Sequence, residues 1–167
     1  MRLGLACALV VLVLDQLTKF WAIEALRPEG VDHTPFWSPI RFEVTPFFNI
    51  VMTWNRGISF GIFNNGGDHN ALILSLLSLA IVIGLLFWLR KAEGRLVPLA
   101  LGLVIGGALG NVIDRARFGA VADFLDFHAF GYHWPAFNIA DAGIVVGAGL
   151  LLVDALFAPQ DSPKNSS

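Results

Sequence analysis

Four stretches of this chain are so long and so free of charge that water is the wrong solvent for them. Crossing roughly 30 Å of hydrocarbon takes about 20 predominantly apolar residues. Ala71–Leu89 has no charge, and Leu96–Ile113 is interrupted only by Asn111. Leu3–Ile23 carries Asp15 and Lys19 in its second half, and Asn138–Phe157 carries Asp141 near its start and Asp154 near its end. These runs predict an all-α integral membrane protein with four transmembrane helices at about 3–23, 71–89, 96–113 and 138–157. They form one domain over residues 1–158, followed by a flexible polar tail at 159–167. The composition agrees, with 14% charged residues against about 25% in soluble domains. A net charge of −2 removes the general electrostatic case for binding nucleic acid. Cys7 is the one cysteine, which excludes a disulfide framework and a cysteine-based zinc site.

The first run reads as a retained anchor and not as a cleaved secretory signal. Leu14 is followed by Asp15-Gln16-Leu17-Thr18-Lys19, with no small-x-small cleavage site. Cys7 reads as a buried apolar cysteine, being too near the N-terminus for acylation. Lys and Arg concentrate on the cytoplasmic side of membrane proteins. The short connector Arg90–Arg95 holds three of them in six residues. Both termini and this connector are therefore expected in the cytoplasm, and the two long connectors outside. Trp21, Trp88 and Trp134 fall at span ends, where indole rings sit among lipid headgroups.

The first outer connector contains Pro28, Pro35, Pro39 and Pro46, which prevent a long helix. Phe47–Trp54 is rich in strand formers. A small sheet or hairpin over 41–63 is expected at the membrane surface, with Asn64-Asn65-Gly66-Gly67 as a turn into the second span. Gly102, Gly106 and Gly110, and Gly143 and Gly147, recur every four residues, a spacing that lets helix backbones approach closely.

Ionisable residues in or beside spans are costly and mark a function or a partner. Asp15 and Lys19 share a helix face and can pair, as can Asn111, Asp114 and Arg115 at the end of the third span. Asp123 lies in the apolar stretch Val121-Ala122-Asp123-Phe124, and Asp141 lies one turn into the fourth span. Both carboxylates are expected at one interface. Two carboxylates held close share a proton and supply one base and one acid, without metal or covalent intermediate. Asp126 reads as a solvated loop acid, and His33, His69, His128 and His133 as exposed loop histidines without metal-ligand spacing. Gly57-Ile58-Ser59-Phe60-Gly61 carries the letters of a Gly-x-Ser-x-Gly motif, but no strand–turn–helix pattern of an α/β sheet surrounds it, and nucleophilic catalysis is not expected. The residues alone leave open a small transporter, a metal-dependent hydrolase or a non-catalytic assembly protein. A transporter would place its charges near mid-span.

Five blocks occur in one order: Asp15-Gln16-x-x-Lys19; Asn55-Arg56-Gly57-Ile58-Ser59-Phe60; Gly106-Gly107-Ala108-Leu109-Gly110-Asn111-x-x-Asp114-Arg115; Val121-x-Asp123-Phe124; and Pro135-Ala136-Phe137-Asn138-x-Ala140-Asp141. Together they resemble bacterial lipoprotein signal peptidase (signal peptidase II), an intramembrane aspartyl protease family, over nearly the whole chain. The resemblance implies four transmembrane helices with a small periplasmic β-sheet, or cradle, and a short surface helix. It implies Asp123 and Asp141 as catalytic residues, and Asn55, Gly57, Asn111, Arg115 and Asn138 as substrate-binding positions. Asp15, Lys19 and Asp114 match supporting charged positions, with no metal and no cofactor. The implied setting is the bacterial inner membrane, with the active site on the periplasmic face and the chain a monomer. The implied partners are diacylglyceryl-modified prolipoproteins, membrane lipid and globomycin-type peptide inhibitors. Two departures stand out: Ile58-Ser59 where the family often has Ala-Ala, and a longer stretch between Lys19 and Asn55.

Overall fold

The computed structural model describes residues 1–57 and 68–157. Four helices, α1 (Arg2–Ala25), α2 (Asp68–Lys91), α3 (Leu96–Phe118) and α4 (Ile139–Phe157), are each long and apolar enough to cross a membrane. At about 1.5 Å per residue, the 23 residues of α3 exceed the hydrocarbon thickness. Its last turn, with Asp114, Arg115 and Arg117, therefore projects beyond the apolar run at 96–113. Gly119 ends α3 in the left-handed conformation (φ 69°), its N–H bonded to the Arg115 carbonyl at 3.0 Å.

The helix α3 is the hub, packed against α1, α2 and α4. Glycines make the closest of these approaches. A Cβ on Gly102 would meet the Gly4 carbonyl, and one on Gly106 would meet the Ala8 carbonyl, so one stripe of α3 lies directly on α1. Gly107 faces the Ala140 carbonyl, and Gly147 faces Ala100 and Val104, so the adjacent stripe lies on α4. In lipid no hydrophobic drive separates the helices from solvent, and such close van der Waals packing holds them together. On α2, Val82 and Leu89 pack with Leu101 and Ile105 of α3. The outward faces of all four spans are apolar, as with Leu9, Leu76, Phe87 and Leu152.

A four-stranded antiparallel sheet sits at the end of the bundle where α1 and α3 finish and α4 begins. Its order is β1 (Phe42–Thr45), β2 (Phe48–Asn55), β3 (Val121–Ala129) and β4 (Tyr132–His133). Half of the sheet comes from the second connector, which the strand-former argument at 41–63 did not reach. Residues 58–63 of that expected region, the 64–67 turn, Ile58-Ser59 and the tail at 159–167 lie outside the described residues. Among the described residues the helices are the four spans, and the connector 26–41 runs through turns and extended segments. A bulge in β2 between Ile50 and Thr53 resets the register to Thr53↔Asp123 and Asn55↔Val121. One face of the sheet (Met52, Ala122, Phe124) closes over Ala22, Ile23 and Leu26 at the end of α1 and over Phe36, forming a second core. The opposite face of β3 carries Asp123.

Candidate active site

Among the described residues, the buried polar and charged side chains gather at the sheet end of the bundle. Asp15, Lys19 and Asp114 are all at most 1% exposed. Buried charges persist only where partners replace water, and here the replacement is complete for the lysine. Lys19 Nζ has three protons, and it donates to Asp15 Oδ2 and Asp114 Oδ2 at 2.9 Å each and to Asn111 Oδ1 at 3.0 Å. The pairing of Asp15 with Lys19 expected from their spacing is present. Arg115 makes no ion pair with Asp114, whose carboxylate turns to Lys19, Gln16 and the Ala122 N–H. Asp114 Oδ1 accepts from Gln16 Nε2 at 3.1 Å, and Oδ2 accepts from Lys19 and from the Ala122 N–H at 3.1 Å, tying α3 to β3.

The network also seats the start of α4. The first N–H groups of a helix lack intrahelical partners and favour negative charge. Asp15 Oδ1 accepts the Ala140 N–H at 2.9 Å. Asn138 caps the helix reciprocally with Asp141: the Asp141 N–H donates to Asn138 Oδ1 at 2.9 Å, and the Asn138 N–H donates to Asp141 Oδ2 at 3.3 Å. The side-chain N–H of Asn111 donates to Asp141 Oδ1 at 2.8 Å.

Asp123 enters this cluster from β3. Asn138 Nδ2 donates to Asp123 Oδ1 at 2.7 Å, so one fully buried asparagine touches both aspartates. Asn55 lies close enough to Asp123 to favour its charged form. The Asn55 side-chain carbonyl is held by the Gly57 N–H at 2.9 Å, leaving the NH2 group for the carboxylate. Gly57 has φ 94°, and a Cβ there would strike Leu74, so this turn requires glycine. Asp123 is 2% exposed. Burial, then the neighbouring Asp141 charge, pushes its carboxyl up to about 7, against the Asn55 and Asn138 amides and the charge of Lys19.

Of the residues singled out from sequence, Asp15, Lys19, Asn55, Gly57, Asn111, Asp114, Arg115, Asp123, Asn138 and Asp141 fall in this one region. The Arg115 guanidinium lies within electrostatic reach of Asp141, Asp123 and Asp114 but makes no ion pair among the described residues, and its buried Nε–H has no acceptor. Asn111 and Asn138 are 6% and 0% exposed, and their amides are spent on protein partners. Among the described residues no group of three or more His, Cys, Asp or Glu is arranged to hold a metal.

Two expectations need correcting. Asp126 is not a solvated loop acid: it is 6% exposed on β3, accepting from Asn49 Nδ2 at 3.0 Å and facing His133 Nδ1 at 2.8 Å. Burial raises its carboxyl, but the hydrogen bonds from His133 and Asn49 outweigh that and leave it below the ordinary range. His128 is not a free loop histidine either. It pairs across the strands with His133, rings 4.8 Å apart, with its Nε2 buried. Gln16 belongs to the same network although its residue type does not single it out: its Nε2 reaches Asp15, Asp114 and the Gly110 carbonyl at 3.1–3.3 Å. Its only signal was its place beside Asp15 in the first motif.

Residues 7–157 match the family model described as signal peptidase (SPase) II. The lipoprotein signal peptidase of Methylorubrum extorquens (strain PA1) is 45% identical over 165 residues, 98% of this chain and 91% of that protein. That of Methylobacterium radiotolerans is 46% identical over 158 residues, covering 93% and 86%. A bacterial membrane enzyme solved by the in meso method at 1.9 Å resolution superimposes with a TM-score of 0.77 at 31% identity, covering 95% of this chain and 96% of its own. The chain therefore belongs to the signal peptidase II family, multi-pass membrane peptidases that remove signal peptides from prolipoproteins.

Proposed function

We propose that Asp123 and Asp141 form the catalytic dyad of an aspartyl endopeptidase. It cleaves diacylglyceryl-modified prolipoproteins immediately before the lipidated cysteine. The observation that carries this reading is Asn138, which is bonded to both carboxyl groups at once. In the resting site Asp123 holds the shared proton, in keeping with its raised carboxyl. Asp141 is the base that takes a proton from water as the oxygen attacks the scissile carbonyl. The carbon–nitrogen bond then breaks, the proton of Asp123 passes to the departing amine, and the dyad again shares one proton.

Arg115, Asn55 and Gly57 face the peptide in this reading, with the unpaired Arg115 N–H groups available to a substrate carbonyl. Asn111 and Asn138 serve the substrate indirectly, by holding the carboxylates. Apolar surroundings exclude water from the pair and strengthen these contacts. The lipidated cysteine arrives laterally, acyl chains in the bilayer and peptide along the sheet. Both termini face the cytoplasm, the site lies at the periplasmic side of the inner membrane, and one chain supplies every residue. Globomycin-type peptides compete for the same site. The charges gather at one end of the bundle, where a transporter would need them at mid-span.

The test is incubation of the purified protein with diacylglyceryl-modified prolipoprotein beside an unmodified control, with and without chelator. Mature product is expected from the lipidated form only, undiminished by chelator. Asp123→Asn and Asp141→Asn should each abolish cleavage while keeping helical content. Near-normal turnover in either variant would sink the dyad.

A further inference from the structure

The turn joining β3 to β4 spends conformational energy to display an aromatic ring. Phe130 and Gly131 have φ of 52° and 80°, consecutive positive values of the kind that a tight hairpin turn needs and that asparagine and glycine adopt most easily. A bulky residue there is strained, and among the described residues nothing rewards it, since Phe130 is fully exposed. Tyr132 and Trp134 are exposed at 69% and 61%. With Phe47, Phe127, His128 and Ala129 they line a mostly apolar trough of about 360 Å3. From Phe127 to Phe137 there is no Asp, Glu, Lys or Arg.

The height of this tip is fixed by its return strand. Phe137 lies two residues before α4, exchanges backbone hydrogen bonds with Leu125 at 2.9 and 3.1 Å, and stacks on Phe127 at 5.9 Å. The far half of β3 is thus level with the point where α4 enters the membrane. Phe130 is five residues beyond Leu125, so at about 3.3 Å per residue it lies within roughly 16 Å of that level. A charge-free cluster of Phe, Tyr and Trp at this height has the composition of the aromatic belt at membrane–water boundaries.

We propose that the β3–β4 hairpin tip is a membrane anchor: Phe130, Tyr132 and Trp134 seat in the headgroup–acyl boundary of the lipid leaflet on the sheet side. The partner is the phospholipid surface itself. The anchor pins the free end of β3, the strand bearing Asp123, so that the sheet and the spans are tied at both ends of that strand. The assignment requires only that α1–α4 span the membrane and is independent of the proposed chemistry.

The test uses the full chain with Cys7→Ala, spin-labelled at Phe130→Cys or Tyr132→Cys, in vesicles of equal parts phosphatidylethanolamine and phosphatidylglycerol. Asp32→Cys, at a fully exposed carboxylate of the first connector, is the aqueous reference. Labels at 130 and 132 are expected to collide more with dissolved oxygen than with a water-soluble nickel chelate, in the reverse order to the label at 32. Nickel exposure at 130 and 132 equal to that at 32 would overturn the anchor. Shielding from both reagents would also overturn it, by placing the tip against protein. Helical circular dichroism confirms that each labelled chain is folded, and either of the two positions suffices.

Discussion

Lys19 Nζ lies 3.0 Å from Asn111 Oδ1, and this contact, with that of Asn138 Nδ2 on the same oxygen, keeps the NH2 end of the Asn111 amide on Asp141. An ammonium accepts nothing, so the carbonyl must turn to Lys19 and the NH2 group to the carboxylate. The same ammonium neutralises Asp15 and Asp114. Lys19→Met leaves two buried carboxylates facing each other without a cation, a loss of about 3–5 kcal/mol for breaking one side of such a pair. Thermal unfolding in detergent should show that loss together with failing turnover. Adding Asp15→Asn and Asp114→Asn should restore much of the stability but not the activity, because Asn111 Oδ1 has lost its bond from the ammonium and keeps only the longer one from Asn138 Nδ2 at 3.3 Å.

Asp123 makes stability and activity depend on pH in the same direction. Its carboxyl is raised from an unfolded value of about 3.9 to about 7 in the fold. A raised group contributes fully below the unfolded value and loses that contribution as pH rises through the folded one. Measured against the difference between the two chains at pH 4, Asp123→Asn should gain on the wild type as pH rises from about 4 to about 7 and gain nothing further above it. Unfolding midpoints of the two chains across that range check the divergence. In the wild type, kcat/KM on lipidated substrate should fall on an alkaline limb centred near 7, as the shared proton is lost.

The spans were legible because a charge-free run of 19 residues has few alternatives, and the ends of α2 and α4 fall close to the expected ones. Strand β3 was not legible. Val121–Ala129 is buried on both faces near its start, so its two aspartates break any alternation. Burying Asp126 is possible only because Asn49 and His133 meet it, and Asn49 is 77 residues away in the chain. The charged motifs announced which residues matter, but not that Asn111 and Asn138 would be enclosed. That follows from the close approach of α3 to α4 at Gly107, a property of the packed pair of helices.

Gly110 separates close packing from mere flexibility. A Cβ at this position would strike the Asp15 carboxylate and press on the Ala140 side chain, where α1, α3 and α4 meet beside the dyad. Gly110→Ala should cost about 1–3 kcal/mol by overpacking and lower turnover, since Asp15 also holds the Ala140 N–H. Gly149→Ala, on α4 with open space around it, should leave both unchanged or raise stability slightly. Equal effects of the two substitutions, in unfolding and cleavage assays, would refute this reading of the glycine stripe.

Asp126 is expected to hold the β3–β4 hairpin together. Its carboxylate contacts the His133 ring that stacks on His128, and β4 has just the two register pairs His128↔His133 and Ala129↔Tyr132. Its carboxyl is depressed, so its contribution is present above the unfolded value near 3.9 and is lost as pH falls through the lower folded value. Asp126→Ala removes that contribution at neutral pH, leaving Asn49 Nδ2 without its acceptor and His133 without its partner, at a cost of about 1–3 kcal/mol. Hydrogen exchange should then quicken at the backbone amides of His128 and Trp134, which bond to Phe47 and Phe127. The amides of α3 should remain protected. Unchanged protection at His128 and Trp134 would show that the turn and its aromatic residues, and not the carboxylate, hold the hairpin closed.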